Sequence, residues 1–116
     1  MKILLDECVT KKLKRYLSDF EVRTVVEMGW SGYRNGKLLN TAVLEHFDIV
    51  LSIDKNMVYQ QNMTKYDVAV VVFDTLRSKI DVLVTFLPEF KIRIHEFSKG
   101  QISLIETTDI ESNLEH

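Results

Sequence analysis

The chain has 116 residues, 46% of them hydrophobic and 28% charged, with a formal net charge of −2. That length suits one domain with a sizeable core and is short for two, and the composition is that of a globular protein. No apolar stretch approaches the roughly 18 residues of a membrane span, no whole-chain basic field marks a nucleic-acid binder, and a lone cysteine, Cys8, excludes an internal disulfide.

The opening run KILL is too short for a signal-peptide core, which takes about 7–15 apolar residues, and acids follow it at once. A cytoplasmic protein is the expectation. Leu114, Glu115 and His116 read as the start of a vector-derived histidine tag, leaving residues 1–113 as one domain.

In chain order, residues 3–5 are a short strand too apolar to have a solvent face. Val9, Leu13, Tyr16 and Leu17 fall at helical spacing over residues 9–17, with Lys11, Lys12, Lys14 and Arg15 on the rest of the wheel. Residues 21–25 are a second strand. MGWSGYRNG is a glycine-rich loop, and Asn35 is a candidate N-cap for an amphipathic helix carrying Leu38, Leu39, Ala42 and Val43 and ending near Phe47. DIVLSI is a third strand, followed by a short helix over about residues 56–61. DVAVVVF is a fourth, apolar throughout and so expected to be central. Ile80, Leu83, Val84 and Leu87 mark a further helix that Pro88 stops or restarts. Residues 89–97 alternate like a strand, but Leu87, Phe90, Ile94 and Phe97 also keep helical spacing, and helix is the preferred reading. Lys99 and Gly100 form a turn before a last strand, QISLIE.

Alternating strands and helices with apolar strands predict an α/β fold. The expected form is a three-layer α/β/α sandwich around a mainly parallel sheet of about five strands. Ligands of such sheets bind outside the carboxyl ends of the strands. Asp6, Glu7 and Asp54 all fall there. Carboxylates gathered in one place repel one another, and a divalent cation with hard-oxygen preference, Mg²⁺ or Mn²⁺, relieves that repulsion. Such an ion activates water and stabilises charge on a phosphoryl oxygen. The plainer reading is that Asp6 or Asp54 simply caps the helix after it.

The other candidates are weaker. Cys8 has no visible histidine partner, and His46 and His95 lack metal-ligand spacing and read as surface or helix-end residues. Trp30 offers a base-stacking surface, against the plainer role of pinning its loop. The basic face of residues 11–15 is either a solvated face or a guide for a phosphate backbone.

Taken in order, MKILLDECV, VRTVVEMGWSG, NGKLL, DIVLSIDKNMVYQQN and VAVVVF resemble the PIN-like family of small bacterial and archaeal proteins, a domain family of unknown function. The resemblance covers roughly residues 1–105, and LLDE combined with the later DKN is its specific part. It implies a metal-dependent ribonuclease, related to the toxins of type II toxin–antitoxin pairs. Such a protein is often encoded beside a small helix-turn-helix antitoxin-like partner and commonly forms a homodimer. Carried over, the family's first acid falls on Asp6 with Glu7 beside it, and its strand-end acid falls on Asp54. Related sequences often open the central helix with Asp-Glu-Glu, where this chain has Asn35, Gly36 and Lys37.

The expected mechanism makes Asp6 and Asp54 metal ligands and Glu7 a ligand or outer base, with Glu27 and Asn35 completing the shell. Lys11, Lys12, Lys37 and Lys55, with Trp30, would hold RNA. Two other readings stand beside it. One is a catalytically degenerate PIN-like protein that acts as an interaction module. The other is a receiver domain, which also gathers acids at strand ends but needs a lysine after a later strand.

Overall fold

The computed structural model describes residues 1–59 and 62–107, so the tag-like residues 114–116 lie outside it. Five strands, β1 (Lys2–Leu5), β2 (Glu21–Thr24), β3 (Ile49–Ser52), β4 (Ala69–Phe73) and β5 (Ile102–Ile105), form one sheet. All pairings are parallel and the order is β2-β1-β3-β4-β5. Three α-helices, α1 (Asn35–Leu44), α2 (Ile80–Leu83) and α3 (Leu87–Ile92), and several 3-10 turns complete the described chain. None of the described helices is long and apolar enough to cross a membrane.

Side chains alternate across a strand, and here both sets are apolar and buried. Ile3, Leu5, Ile49, Leu51, Val71 and Phe73 point into one cluster with Leu13, Leu17, Leu83, Phe86 and Phe90. Leu4, Val50, Val70 and Val72 point into a second with Leu38, Leu39, Ala42 and Phe47. The central strands β3 and β4, and β1 after Lys2, are continuous buried runs because neither face meets water, whereas the edge strands β2 and β5 keep exposed or half-buried positions. Polar chemistry is left to the strand ends.

Several elements depart from expectation. Residues Lys11–Leu17 form a 3-10 helix rather than an α-helix. Lys11 has like charges three and four residues on, at Lys14 and Arg15, which disfavours α-helical stacking. Leu13 and Leu17 are buried there, but Tyr16 is 46% exposed and is not part of the apolar stripe. Asn35 is the first helical residue of α1. The N-cap is Arg34, without a side-chain capping bond. That helix closes at Leu44, short of Phe47. His46 takes φ 64° and donates to Val43 O, while the Phe47 N–H returns to Ala42 O and its ring enters the core. The helix expected over residues 56–61 is a 3-10 helix, Lys55–Tyr59, and residues 60 and 61 lie outside the described residues. The stripe from Ile80 to Leu87 is split by a 3-10 turn at Val84–Phe86. Pro88 lacks an N–H and its ring would clash with the Val84 carbonyl in a continuous helix. It sits instead in the first turn of α3. The helix preferred for residues 89–97 runs only to Ile92, with turn following it; Leu87, Phe90 and Ile94 are all buried, with Phe97 packed against them.

Leu51 is fully buried at the centre of the sheet. Leu51→Ala is expected to remove about 2–5 kcal/mol of unfolding free energy, read by urea denaturation. An unchanged midpoint would contradict this packing.

Candidate functional site

The strand order reverses between β1 and β3. From β1 the chain crosses to β2 on one side, then returns to place β3 on the other. Ligands of open parallel sheets bind outside the carboxyl ends at such a switch point. Asp6 and Glu7 follow β1 directly, and Asp54 lies two residues beyond Ser52 at the end of β3. The Asp6 N–H donates to Leu51 O at 2.9 Å, carrying the β1–β3 pairing one step further. A cleft of about 600 Å³ opens above this point, with Asp6, Glu7, Arg34, Asn35, Asp54 and Asn56 among its walls.

A buried hydroxyl organises the acids. Ser52, fully buried, donates from Oγ to Asp6 Oδ2 at 2.7 Å and accepts the Asp54 N–H at 3.0 Å. One side chain therefore joins the two acidic segments. Cys8 Sγ lies 3.4 Å from Ser52 Oγ and 3.7 Å from Asp6 Oδ2. Since the single Ser52 proton goes to Asp6, the thiol is the donor. Burial pushes the Cys8 thiol above its ordinary value, and the Asp6 charge adds to the rise. Cys8 is an exposed residue, yet with its thiol raised in this way it is a poor nucleophile.

The remaining oxygens are divided between backbone and cleft. Asp6 Oδ1 accepts the Glu7 N–H at 2.8 Å. Asp54 Oδ1 accepts the Asn56 N–H at 2.9 Å, so Asp54 does cap the 3-10 helix after it, while no contact engages its Oδ2 among the described residues. Glu7 Oε1 accepts the Gly32 N–H at 2.8 Å. Gly32 has φ 84°, a conformation that suits glycine. Glu7 thereby holds the loop that delivers Arg34 and Asn35 to the cleft.

Other expected site residues lie elsewhere. Glu27 completes a capping box with Thr24: its Oε1 accepts the Thr24 N–H at 2.9 Å and its N–H donates to Thr24 Oγ1 at 3.0 Å. Its carboxylate also meets Lys14 Nζ at 2.9 Å, and it does not line the cleft with Asp54. Its expected place in a shared ligand shell is corrected accordingly. Trp30 is only 8% exposed. It stacks on Tyr33 with centroids 6.3 Å apart and meets Phe47 edge-on, so its ring pins the loop and is closed to bases. Lys55 Nζ pairs with Asp74 Oδ1 at 2.7 Å. Lys37 Nζ sits 4.1 Å over the Tyr33 ring, while Lys11 and Lys12 are exposed. Sequence reasoning passed over Ser52, Arg34 and Asp74. A serine ending the apolar run IVLS was the one visible signal for the first.

The donor set in the cleft is hard oxygen: Asp6, Asp54 and the Asn35 amide. Among the described residues no group of three or more His, Cys, Asp or Glu side chains is arranged to hold a metal ion. These residues do not make a closed cage. They fit the habit of Mg²⁺, which keeps several waters and binds through one or two carboxylates plus substrate phosphates.

The chain matches no family model, no curated protein and no solved structure.

Lys14 and its hydrogen bonds hold the Glu27 carboxyl below the usual carboxylate value, with the Thr24 N–H contributing next. A lowered folded value means that the unfolded chain binds the proton first as pH falls. The stabilisation is complete above the unfolded value and is lost as pH drops through the folded one. The pair is about 40% exposed, so solvent screening keeps its worth to at most about 1 kcal/mol. Glu27→Gln is expected to lower Tm slightly at neutral pH, with the deficit shrinking in acid. A deficit that is constant across an acid titration would refute this assignment.

Proposed function

We propose that the protein is a divalent-cation-dependent ribonuclease acting through the cleft at the β1–β3 switch point. One observation carries this reading: Asp6 and Asp54, on adjacent parallel strands, wall the same cleft and are tied together through Ser52. The resemblance of LLDE and DKN to the PIN-like pattern leads to the same chemistry. Mg²⁺ or Mn²⁺ held by Asp6 and Asp54 would supply charge stabilisation at a phosphoryl oxygen and an acidified water. Ser52 fixes the direction of the Asp6 carboxylate. Glu7, through Gly32, fixes the loop, and Arg34 offers a planar donor to a phosphate at the cleft wall. Asn35 adds a neutral oxygen where the family pattern carries an acid.

A second reading, a degenerate member that binds a partner without cutting, is favoured by the Asp54 capping bond and the sparse acid set. The receiver reading gains nothing. Among the described residues β4 is followed by Asp74 and Thr75, and β5 by Glu106 and Thr107, with no lysine directly after either strand.

The test is cleavage of a labelled RNA with MnCl₂, alongside melting temperature with and without the ion. The parent protein is expected to cleave, and to gain stability in proportion to occupancy. Asp6→Asn should abolish both effects. Ser52→Ala, which removes the bond that orients Asp6 and the acceptor of the Asp54 N–H, should cost about 10–100-fold in rate or ion affinity. Cleavage that survives Asp6→Asn would sink the mechanism. Absence of both cleavage and an ion-dependent shift in the parent would establish the binding-only reading.

A further inference from the structure

The 3-10 helix Lys11–Leu17 carries positive charge only. It buries Leu13 and Leu17 and turns Lys11, Lys12, Lys14 and Arg15 outward. Lys14 is neutralised by Glu27 at 2.9 Å. Lys11, Lys12 and Arg15 are exposed and have no carboxylate partner among the described residues.

These cations border a groove. A hollow of about 560 Å³ lies between the helix and the turn after β2, with Lys11, Lys12, Lys14 and Arg15 on one bank and Thr24 and Glu27 on the other. An adjoining hollow of about 490 Å³ shares Lys11, Thr24 and Glu27 and adds Val9, Val25 and Val26. Val9 and Val25 are buried, while Val26 is 67% exposed. The groove therefore has a cationic half and an aliphatic half, and Asp6 and Glu7 close the aliphatic end.

Each part restricts what can lie there. In the cationic half the one carboxylate, Glu27, is already committed to Lys14, so the other three cations favour a negatively charged occupant. The valines favour an aliphatic side chain. No aromatic side chain lines either hollow, so a nucleobase finds no ring to stack on. Asp6 and Glu7 repel a phosphate backbone that continues past the valines. A peptide backbone is uncharged and can pass them. Glu27 is an internal precedent, since its carboxylate already reaches Lys14 across the groove.

We propose that this groove docks an acidic peptide segment of a partner protein, with carboxylates on Lys11, Lys12 and Arg15 and an aliphatic side chain against Val26. The three cations do not line the acid cleft, so the proposal stands apart from the chemistry assigned there. The surface is small and its charges lie at the rim, so binding is weak and falls with salt.

The test is fluorescence anisotropy of a short fluorescein-labelled peptide in which glutamates alternate with leucines, titrated with the full chain in metal-free buffer at several KCl concentrations. The peptide is expected to bind, less tightly as salt rises. Lys11→Gln/Lys12→Gln/Arg15→Gln should weaken binding about tenfold, and Val26→Ser about threefold. Lys37→Gln/Lys65→Gln, on the other side of the cleft, should leave it unchanged. Peptides with glutamine for glutamate, or serine for leucine, should bind more weakly than the parent peptide. No binding, equal binding of the glutamine peptide, or indifference to the triple variant would overturn the proposal. So would a single-stranded oligonucleotide that displaces the peptide at lower concentration than unlabelled peptide does. The titration involves no cleavage and no divalent ion, so a protein that binds the peptide but cuts no RNA would refute the nuclease reading and leave the groove standing.

Discussion

The hydrogen bond from Ser52 Oγ to Asp6 Oδ2, 2.7 Å long, is the contact on which the geometry of the site depends. Ser52 is fully buried at the end of a strand whose other residues are Ile49, Val50 and Leu51. A buried hydroxyl left without a partner costs about 1–3 kcal/mol. No buried side-chain polar atom among the described residues lacks one. The Asp6 carboxylate and the Asp54 N–H are the partners that meet this need. Satisfying one core hydroxyl therefore sets the direction of an acid on β1 and the path of the chain after β3. The acids are held in place by a folding requirement, before any ligand arrives.

The same logic explains why chemistry collects on one edge of the sheet. Both faces of the central strands are closed by apolar clusters, so a charged side chain within them would be desolvated without recompense. Charge appears just past the ends of β1, β3 and β4, at Asp6, Asp54 and Asp74. The parallel arrangement brings these exits to one side. The order β2-β1-β3-β4-β5 then decides which exits are neighbours: β1 and β3 adjoin, while the Asp74 carboxylate at the end of β4 is neutralised by Lys55.

What could be read in the sequence follows from how local each signal is. The central strands were legible because short apolar runs bounded by polar residues leave few alternatives, and β2 through its β-branched valines. So was the position of Asp6, Glu7 and Asp54, since strand ends fix it. Helix type was not. The 3-10 form of Lys11–Leu17 depends on crowding among its own lysines and on the Thr10–Ser78 bond, which spans 68 residues. The fate of Glu27 was legible but overlooked, for TVVE is a capping-box pattern read along the chain. Trp30 and Lys55 were not legible, because Phe47 and Asp74 reach them only through the tertiary fold. The strand order, which makes the two acids neighbours, is likewise a property of the whole chain.

Capping and ligand binding were posed as alternatives for Asp54, but capping occupies only one of its oxygens. Oδ1 takes the Asn56 N–H, which removes one rotational freedom from the side chain and leaves Oδ2 aimed by geometry alone. A carboxylate that must serve an ion gains from being held this way, since supporting hydrogen bonds are what orient oxygen ligands. Asp6 instead has both oxygens engaged, Oδ1 on the Glu7 N–H and Oδ2 on Ser52, and Glu7 gives one oxygen to Gly32. Each acid of the cleft is thus anchored by at least one hydrogen bond to its own scaffold. What separates these acids from ordinary caps is where they meet: at a switch point, beneath a cleft that Arg34 also lines.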